Sequence, residues 1–241
     1  MLGDFFQYGL ILQAIALTHF VRRRPESFWI WVIIMGGGIG ALIYILVEVL
    51  PDAGLLRGAV QVFPRRKRIR YLEAAVVDNP SIGNYEELGD LYLDDGKFAN
   101  ARACFDRVIS PRTDAPDPFY RRALAEIALG DHAAAVADLE QVIRLDPKYD
   151  YQRAAGLLAH ELGVVGRTEE ALVQFAAVTE TSTLSETQYN YAALLASSGR
   201  TTEAKEWAQR VLAKKPTMPA YMRRRERPWF RKTAALLKKL G

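Results

Sequence analysis

One phrase recurs four times between residues 82 and 218: a glycine, five residues on an alanine, and four further on a bulky or apolar residue. The copies are Gly96–Ala101–Phe105, Gly130–Ala135–Leu139, Gly166–Ala171–Phe175 and Gly199–Ala204–Ala208, with glycines 34, 36 and 33 residues apart. A period of that length marks stacked helical hairpins, because one hairpin cannot cover its own apolar face and must pack on the next. In the first copy Tyr85, Leu88, Gly89 and Tyr92 fall at i, i+3, i+4 and i+7, one stripe of a helix. Gly96 stands where a helix stop needs a positive φ, and Phe98, Ala101, Phe105 and Val108 restart the stripe. Small residues let the two helices approach: Gly89, Ala123, Ala159 and Ala192 in the first, Ala101, Ala135, Ala171 and Ala204 in the second. Pro147 and Pro216 close the second and fourth units, since proline cannot continue a helix.

These residues resemble the tetratricopeptide repeat family. Leu88-Gly89, Tyr92, Gly96, Phe98, Ala101 and Phe105 match its pattern, as do Gly130, Ala135, Leu139 and Pro147. The second unit departs at Arg122, where an apolar residue is usual. The fourth has Ala208 in place of an aromatic, with Trp207 beside it to supply bulk. The resemblance implies an α-solenoid of about four helix pairs, at about 82–115, 116–149, 152–184 and 185–218, binding partners along a concave face lined by the first helices.

The net charge of +4 conceals a strong asymmetry. Residues 1–79 carry nine Lys/Arg and six Asp/Glu, residues 80–213 thirteen and twenty-one, and residues 214–241 ten and one. An acidic repeat body is thus flanked by basic ends. The single cysteine, Cys104, has no partner for an internal disulfide or a metal knuckle and reads as a small core residue.

The amino-terminal fifty residues read as a membrane anchor. Phe5–Phe20 is mostly apolar, and about 28–50 is an apolar run broken by Glu48 alone, long enough for a bilayer core of about 30 Å. Trp29, Trp31 and the Arg22–Arg24 triplet suit an interface. Met1–Asp4 lacks the positive charge of a cleaved signal peptide. Gly36 and Gly40 lie one turn apart and would let a second helix, either Phe5–Phe20 or that of another copy, come close. The order Arg22-Arg23-Arg24-Pro25-Glu26-Ser27, then Trp29–Ile34, then Gly40-Ala41-Leu42-Ile43-Tyr44, resembles the hydrophobic amino-terminal segment of cardiolipin synthases and related phospholipase D-type proteins. That resemblance implies a bacterial inner membrane. The enzyme does not follow, because its chemistry needs a lysine two residues after a histidine, and His19, His132 and His160 are followed there by Val21, Ala134 and Leu162.

Positive residues favour the cytoplasmic side, and Arg57, Arg65, Arg66, Lys67, Arg68 and Arg70 follow the second run. The repeats are therefore expected in the cytoplasm of a two-span protein. Residues 51–80 read as a connector, Pro51–Pro64, and a basic helix, Arg65–Asp78. Ile69, Leu72, Ala75 and Val76 cap the stack as half a repeat, while Arg65, Arg66, Lys67, Arg68 and Arg70 face anionic headgroups. The expected groove comprises Glu86, Asp90, Asp94, Tyr120, Leu124, Ile127, His160 and Tyr189, with Ala193 beside them. Its three carboxylates argue against a clamp for a terminal carboxylate and for a partner segment with basic and apolar residues. Residues 219–241 read as a basic cap helix, with Pro228 dividing it. A membrane surface suits this segment better than nucleic acid, for which no recognised fold surrounds it.

The expected fold is all-α: a transmembrane helical hairpin, an α-solenoid and a capping helix. No catalytic set, phosphate loop, cofactor motif or metal-ligand spacing is visible. The expected function is a membrane-anchored adaptor for a cytoplasmic protein or peptide. The alternative is a non-catalytic accessory subunit of phospholipid-synthesis or envelope machinery.

Overall fold

The computed structural model describes residues 2–23, 26–49 and 55–241, and every regular element among them is helical. The chain forms two compact units, Met1–Tyr71 and Leu72–Gly241. The expected loop residues Arg24 and Pro25, the end of the second apolar run at Leu50 and the start of the connector at 51–54 lie outside the described residues.

In the first unit α1 (Leu2–Arg23) packs on α2 (Phe28–Met35) and α3 (Gly37–Tyr44), and α3 runs into a π-helical turn at Ile45–Val49. Ala16, Ile33, Ala41 and Tyr44 form its buried core. The Gln13 amide donates to the Ile33 carbonyl at 2.9 Å, one of the last carbonyls of α2, which lack partners within their helix. His19 Nδ1 lies 3.0 Å from the Tyr44 hydroxyl. A close backbone approach between the helices joins Gly38 to Gly9, where a Cβ on Gly38 would stand 2.9 Å from the Gly9 Cα. Gly36 and Gly40, expected to make that approach, instead crowd the Val32 carbonyl, which their Cβ atoms would meet at 2.5 and 1.9 Å. They serve the break between α2 and α3, at which Gly37 takes φ +55°.

That break corrects the two-span expectation. The run at 28–50 is divided into two eight-residue helices and a π turn. Eight residues span ~12 Å at 1.5 Å each, less than half the hydrocarbon core. The longer α1 is diluted by Asp4, Gln7, Gln13, Thr18, His19, Arg22 and Arg23. Among the described residues no helix is long and apolar enough to cross a membrane, so the placement as a two-span inner-membrane protein with cytoplasmic repeats is overturned.

The next helix, α4 (Leu55–Asp78), begins well before the expected Arg65 and carries Pro64 within it. The second unit then alternates first and second helices of four hairpins. They are α5 (Ile82–Asp94) with α6 (Phe98–Val108), α7 (Pro116–Leu129) with α8 (His132–Leu145), α9 (Tyr149–Val164) with α10 (Thr168–Thr179), and α11 (Ser185–Ser197) with α12 (Thr201–Ala213). A short α13 (Ala220–Arg225) leads into α14 (Arg227–Leu240), which packs on α12 and α11.

Each hairpin is built by the same local device. Gly96, Gly130, Gly166 and Gly199 all sit at positive φ, between 72° and 84°. The amide after each, on Lys97, Asp131, Arg167 and Arg200, donates back to the carbonyls of Tyr92, Glu126, Leu162 and Leu195 at 2.8–2.9 Å. This closure satisfies orphan carbonyls of the first helix, and the same four residues accept from Ala101, Ala135, Ala171 and Ala204 to start the second. The alanines at those positions are fully buried. A Cβ on Gly89 would stand 2.8 Å from the Phe105 ring, which explains glycine there. One core cluster joins α7 to α10 through Phe119, Leu139, Val142, Leu158, Leu162 and Ala171. Another joins α9 to α12 through Ala159, Phe175, Tyr191, Leu195 and Ala204, with Trp207 packed against it and Tyr191 5.2 Å from the Trp207 ring. Trp207 thus packs on this cluster next in sequence to the small, buried Ala208.

The end of α4 belongs to the second unit, with Leu72 buried and Glu73 accepting the Tyr92 hydroxyl proton at 2.7 Å. Asp131 caps α8 and Ser81 caps α5 through their side-chain oxygens.

Candidate functional site

Two adjoining clefts lie on the first-helix face of the last three hairpins. One, of about 310 Å³, is lined by Tyr120 and Leu124 of α7, Arg153 and Leu157 of α9, and Glu186 and Asn190 of α11. The other, of about 450 Å³, runs along α9 and α11 past His160, Tyr189 and Ala193 to Trp229 and Lys232 of α14. Leu157, Glu186 and Asn190 border both.

These side chains meet because first helices of neighbouring hairpins lie side by side, α5 against α7 and α9 against α11. The spacing 153, 157, 160 is i, i+4, i+7, as is 186, 190, 193, so each set shares one helix face. Gly156 lets α11 come close: a Cβ there would meet Thr187 Oγ1 at 2.6 Å. Arg153 pairs at 3.7 Å with Glu186, which also lines the smaller cleft, and at 3.8 Å with Asp150 on its own helix. Such half-exposed pairs are weak and open to exchange with a ligand. The Tyr120 ring is 5.0 Å from that of Tyr149, and burial pushes the Tyr120 hydroxyl above its ordinary range. Tyr189 lies 5.7 Å from Trp229, and the Lys232 ammonium stands 4.4 Å over the Trp229 ring, a cation–π contact.

Of the expected groove residues, Tyr120, Leu124, His160, Tyr189 and Ala193 line these clefts. Ile127 instead packs against the core. Glu86, Asp90 and Asp94 stand on α5 and line neither cleft. Asp90 faces Arg121 at 3.6 Å; burial raises its carboxyl, and Arg121 opposes that shift. Arg153, Leu157, Glu186 and Asn190 were missed, although the register of His160 and Ala193 could have found them. Trp229 and Lys232 follow the repeats, and no repeat register assigns them to this face. Of the expected headgroup residues, Arg66, Lys67, Arg68 and Arg70 are exposed and Arg65 is half-buried, with Arg68 5.1 Å over the Tyr71 ring; membrane contact by them is not shown. Among the described residues no group of three or more His, Cys, Asp or Glu side chains is placed to hold a metal ion.

The fold is a helical solenoid of tetratricopeptide type. Residues 82–110 and 116–149 match the family model for the tetratricopeptide repeat. The chain is 27% identical over 125 residues to DnaJ homolog subfamily C member 3 of Gallus gallus and 32% identical over 103 residues to that of Homo sapiens. These matches cover 52% and 43% of this chain, which spans only a quarter and a fifth of those relatives. Among solved structures, YrrB, titled a TPR protein with an unusual peptide-binding site, aligns with a TM-score of 0.58 at 21% identity, over 70% of this chain and 86% of its own. MamA aligns with a TM-score of 0.57 at 18% identity, over 62% and 87%. The expected likeness of the first fifty residues to the cardiolipin synthase segment is not shown by these comparisons.

Proposed function

We propose that this protein is a scaffold that holds an extended segment of a protein partner across the first-helix face. The observation that carries the reading is the pair of adjoining clefts bordered in common by Leu157, Glu186 and Asn190. Apolar side chains of the segment would enter the two clefts, between Tyr120 and Leu124 at one end and Tyr189 and Trp229 at the other. The Asn190 amide, with donors and an acceptor, would pair with the segment's backbone between them. A basic residue of the segment would face Glu86, Asp90 and Asp94. The peptide-binding site named for YrrB, on a similar fold, supports the same use of this one.

A photo-crosslinking side chain placed at Asn190 of the full chain should capture one partner segment in cells. That segment, made as a peptide, should bind about tenfold more weakly to the Asn190→Ala, Tyr189→Ala double variant, a loss of ~1.4 kcal/mol. Helicity should be unchanged. Wild-type affinity in that variant would refute the groove; wild-type affinity in Asp90→Lys, Asp94→Lys would remove only its basic end.

A further inference from the structure

The last turns of the chain hold a second recess that shares no residue with the first-helix clefts. It has a volume of about 700 Å³ and lies between the end of α12, α13 and α14. Lys215, Arg223, Arg224, Arg227 and Arg231 line it around an apolar floor that includes Leu212 and Phe230. Among the described residues no carboxylate lies within ion-pair distance of any of the five. Glu226, the one acid in residues 214–241, faces Arg225 at 3.4 Å.

The folding of the segment does not account for this charge. Arg227 opens α14 and Arg231 follows one turn later. Cations there oppose the positive end of the helix dipole, and a like-charged i, i+4 pair adds repulsion. A cap that needed only a polar outer face would be served better by mixed charge. The five side chains instead converge on one recess and raise its potential together.

We propose that this recess binds an acidic peptide segment of a partner protein. Guanidinium forks match carboxylates in paired hydrogen bonds, and an apolar side chain of the segment would rest on Leu212, Ala220 and Ala234. A nucleic acid would need exposed rings inside the recess on which to stack its bases; Phe230, which lines it, is only 4% exposed, and Tyr221, though exposed on α13, does not line it. A lipid surface would need several apolar side chains projecting beyond the cations, whereas Leu212 and Phe230 lie below them and Tyr221 is the single large apolar side chain exposed among the described residues of α13 and α14.

The test uses the full chain and a short fluorescent peptide of glutamates interspersed with leucines, read by anisotropy. Binding is expected to weaken with added salt and by about tenfold or more in Arg227→Glu, Arg231→Glu. The Arg223→Gln, Arg224→Gln variant leaves α14 intact and should also weaken it, which keeps the test open if the first pair disturbs the cap. Absence of binding, or wild-type affinity in both variants, overturns the proposal. Tighter binding to single-stranded DNA or to phosphatidylglycerol vesicles than to the peptide overturns it too. Loss of binding in Asn190→Ala, Tyr189→Ala, with both arginine pairs unaffected, would assign the peptide to the first-helix face and has the same consequence.

Discussion

Arg122 stands on α7 where the repeat pattern asks for an apolar side chain, and its surroundings are charged to match. Its Nε and Nη2 donate to both oxygens of Asp138 at 2.7 Å, and its Nη1 donates to Asp106 at 2.8 Å. Glu126, 3% exposed, lies 3.9 Å from Arg122 and 3.5 Å from Arg102, and its Oε2 has no hydrogen-bond partner. Burial first, then the Asp138 charge, push the Glu126 carboxyl up to about 7. The folded state therefore holds this proton more tightly than the unfolded chain, whose carboxyl titrates near 4.5. Stability from this group is greatest below that unfolded value and is lost as pH rises through about 7. Between pH 6 and pH 8 the loss should be ~1 kcal/mol. Urea unfolding of the wild type and Glu126→Gln at both pH values should show it as a steeper decline in the wild type; parallel declines would refute it. The sequence marked Arg122 as a departure but could not supply its partners. Asp106 and Asp138 are sixteen residues away on either side and meet it only when three helices stack.

At the scale of elements, the helical turns were legible because a turn is a local object. A glycine at positive φ and the hydrogen bond across it need only six residues, and all four copies form as read. The start of α9 was not legible. Asp150, Tyr151 and Gln152 take φ of 46°, 53° and 65°, a left-handed stretch without glycine, inside the unit with the longest period. The expected unit boundary at residue 152 falls within it. Left-handed backbone strains such residues, and Tyr151, 91% exposed, gains little packing in return. Tyr151→Gly should therefore stabilise the fold by ~0.5–1 kcal/mol, after allowing for the greater freedom of glycine in the unfolded chain. Chemical denaturation measures it; destabilisation would mean that the tyrosine ring holds this turn.

Over the whole molecule, the carboxyl-terminal helix has two tasks. It seals the last hairpin, with Phe230 and Thr233 buried and Leu240 against the cluster that holds Phe175 and Tyr191, and it brings Trp229 and Lys232 to the larger cleft on the first-helix face. Ending the chain after Glu226 should lower stability by ~3 kcal/mol or more, the scale of losing a buried aromatic anchor. It should also abolish binding at the larger cleft. Thermal melting of the shortened chain decides the first point, and an unchanged midpoint would show that α14 does not seal the stack. The sequence by itself determined the repeat register, the turns and the small residues between paired helices. Each is written in a window of a few residues, where φ preference and side-chain periodicity suffice. Tertiary structure alone decided which side chains of α7, α9 and α11 share one cleft and which of α9, α11 and α14 share the other, since each cleft joins residues as much as 70 (Tyr120 to Asn190) or 75 (Leu157 to Lys232) positions apart. It also decided the fate of the apolar run at 28–50. Composition counts hydrophobic residues without fixing their direction, and a glycine turn folds this run into two short helices packed on α1.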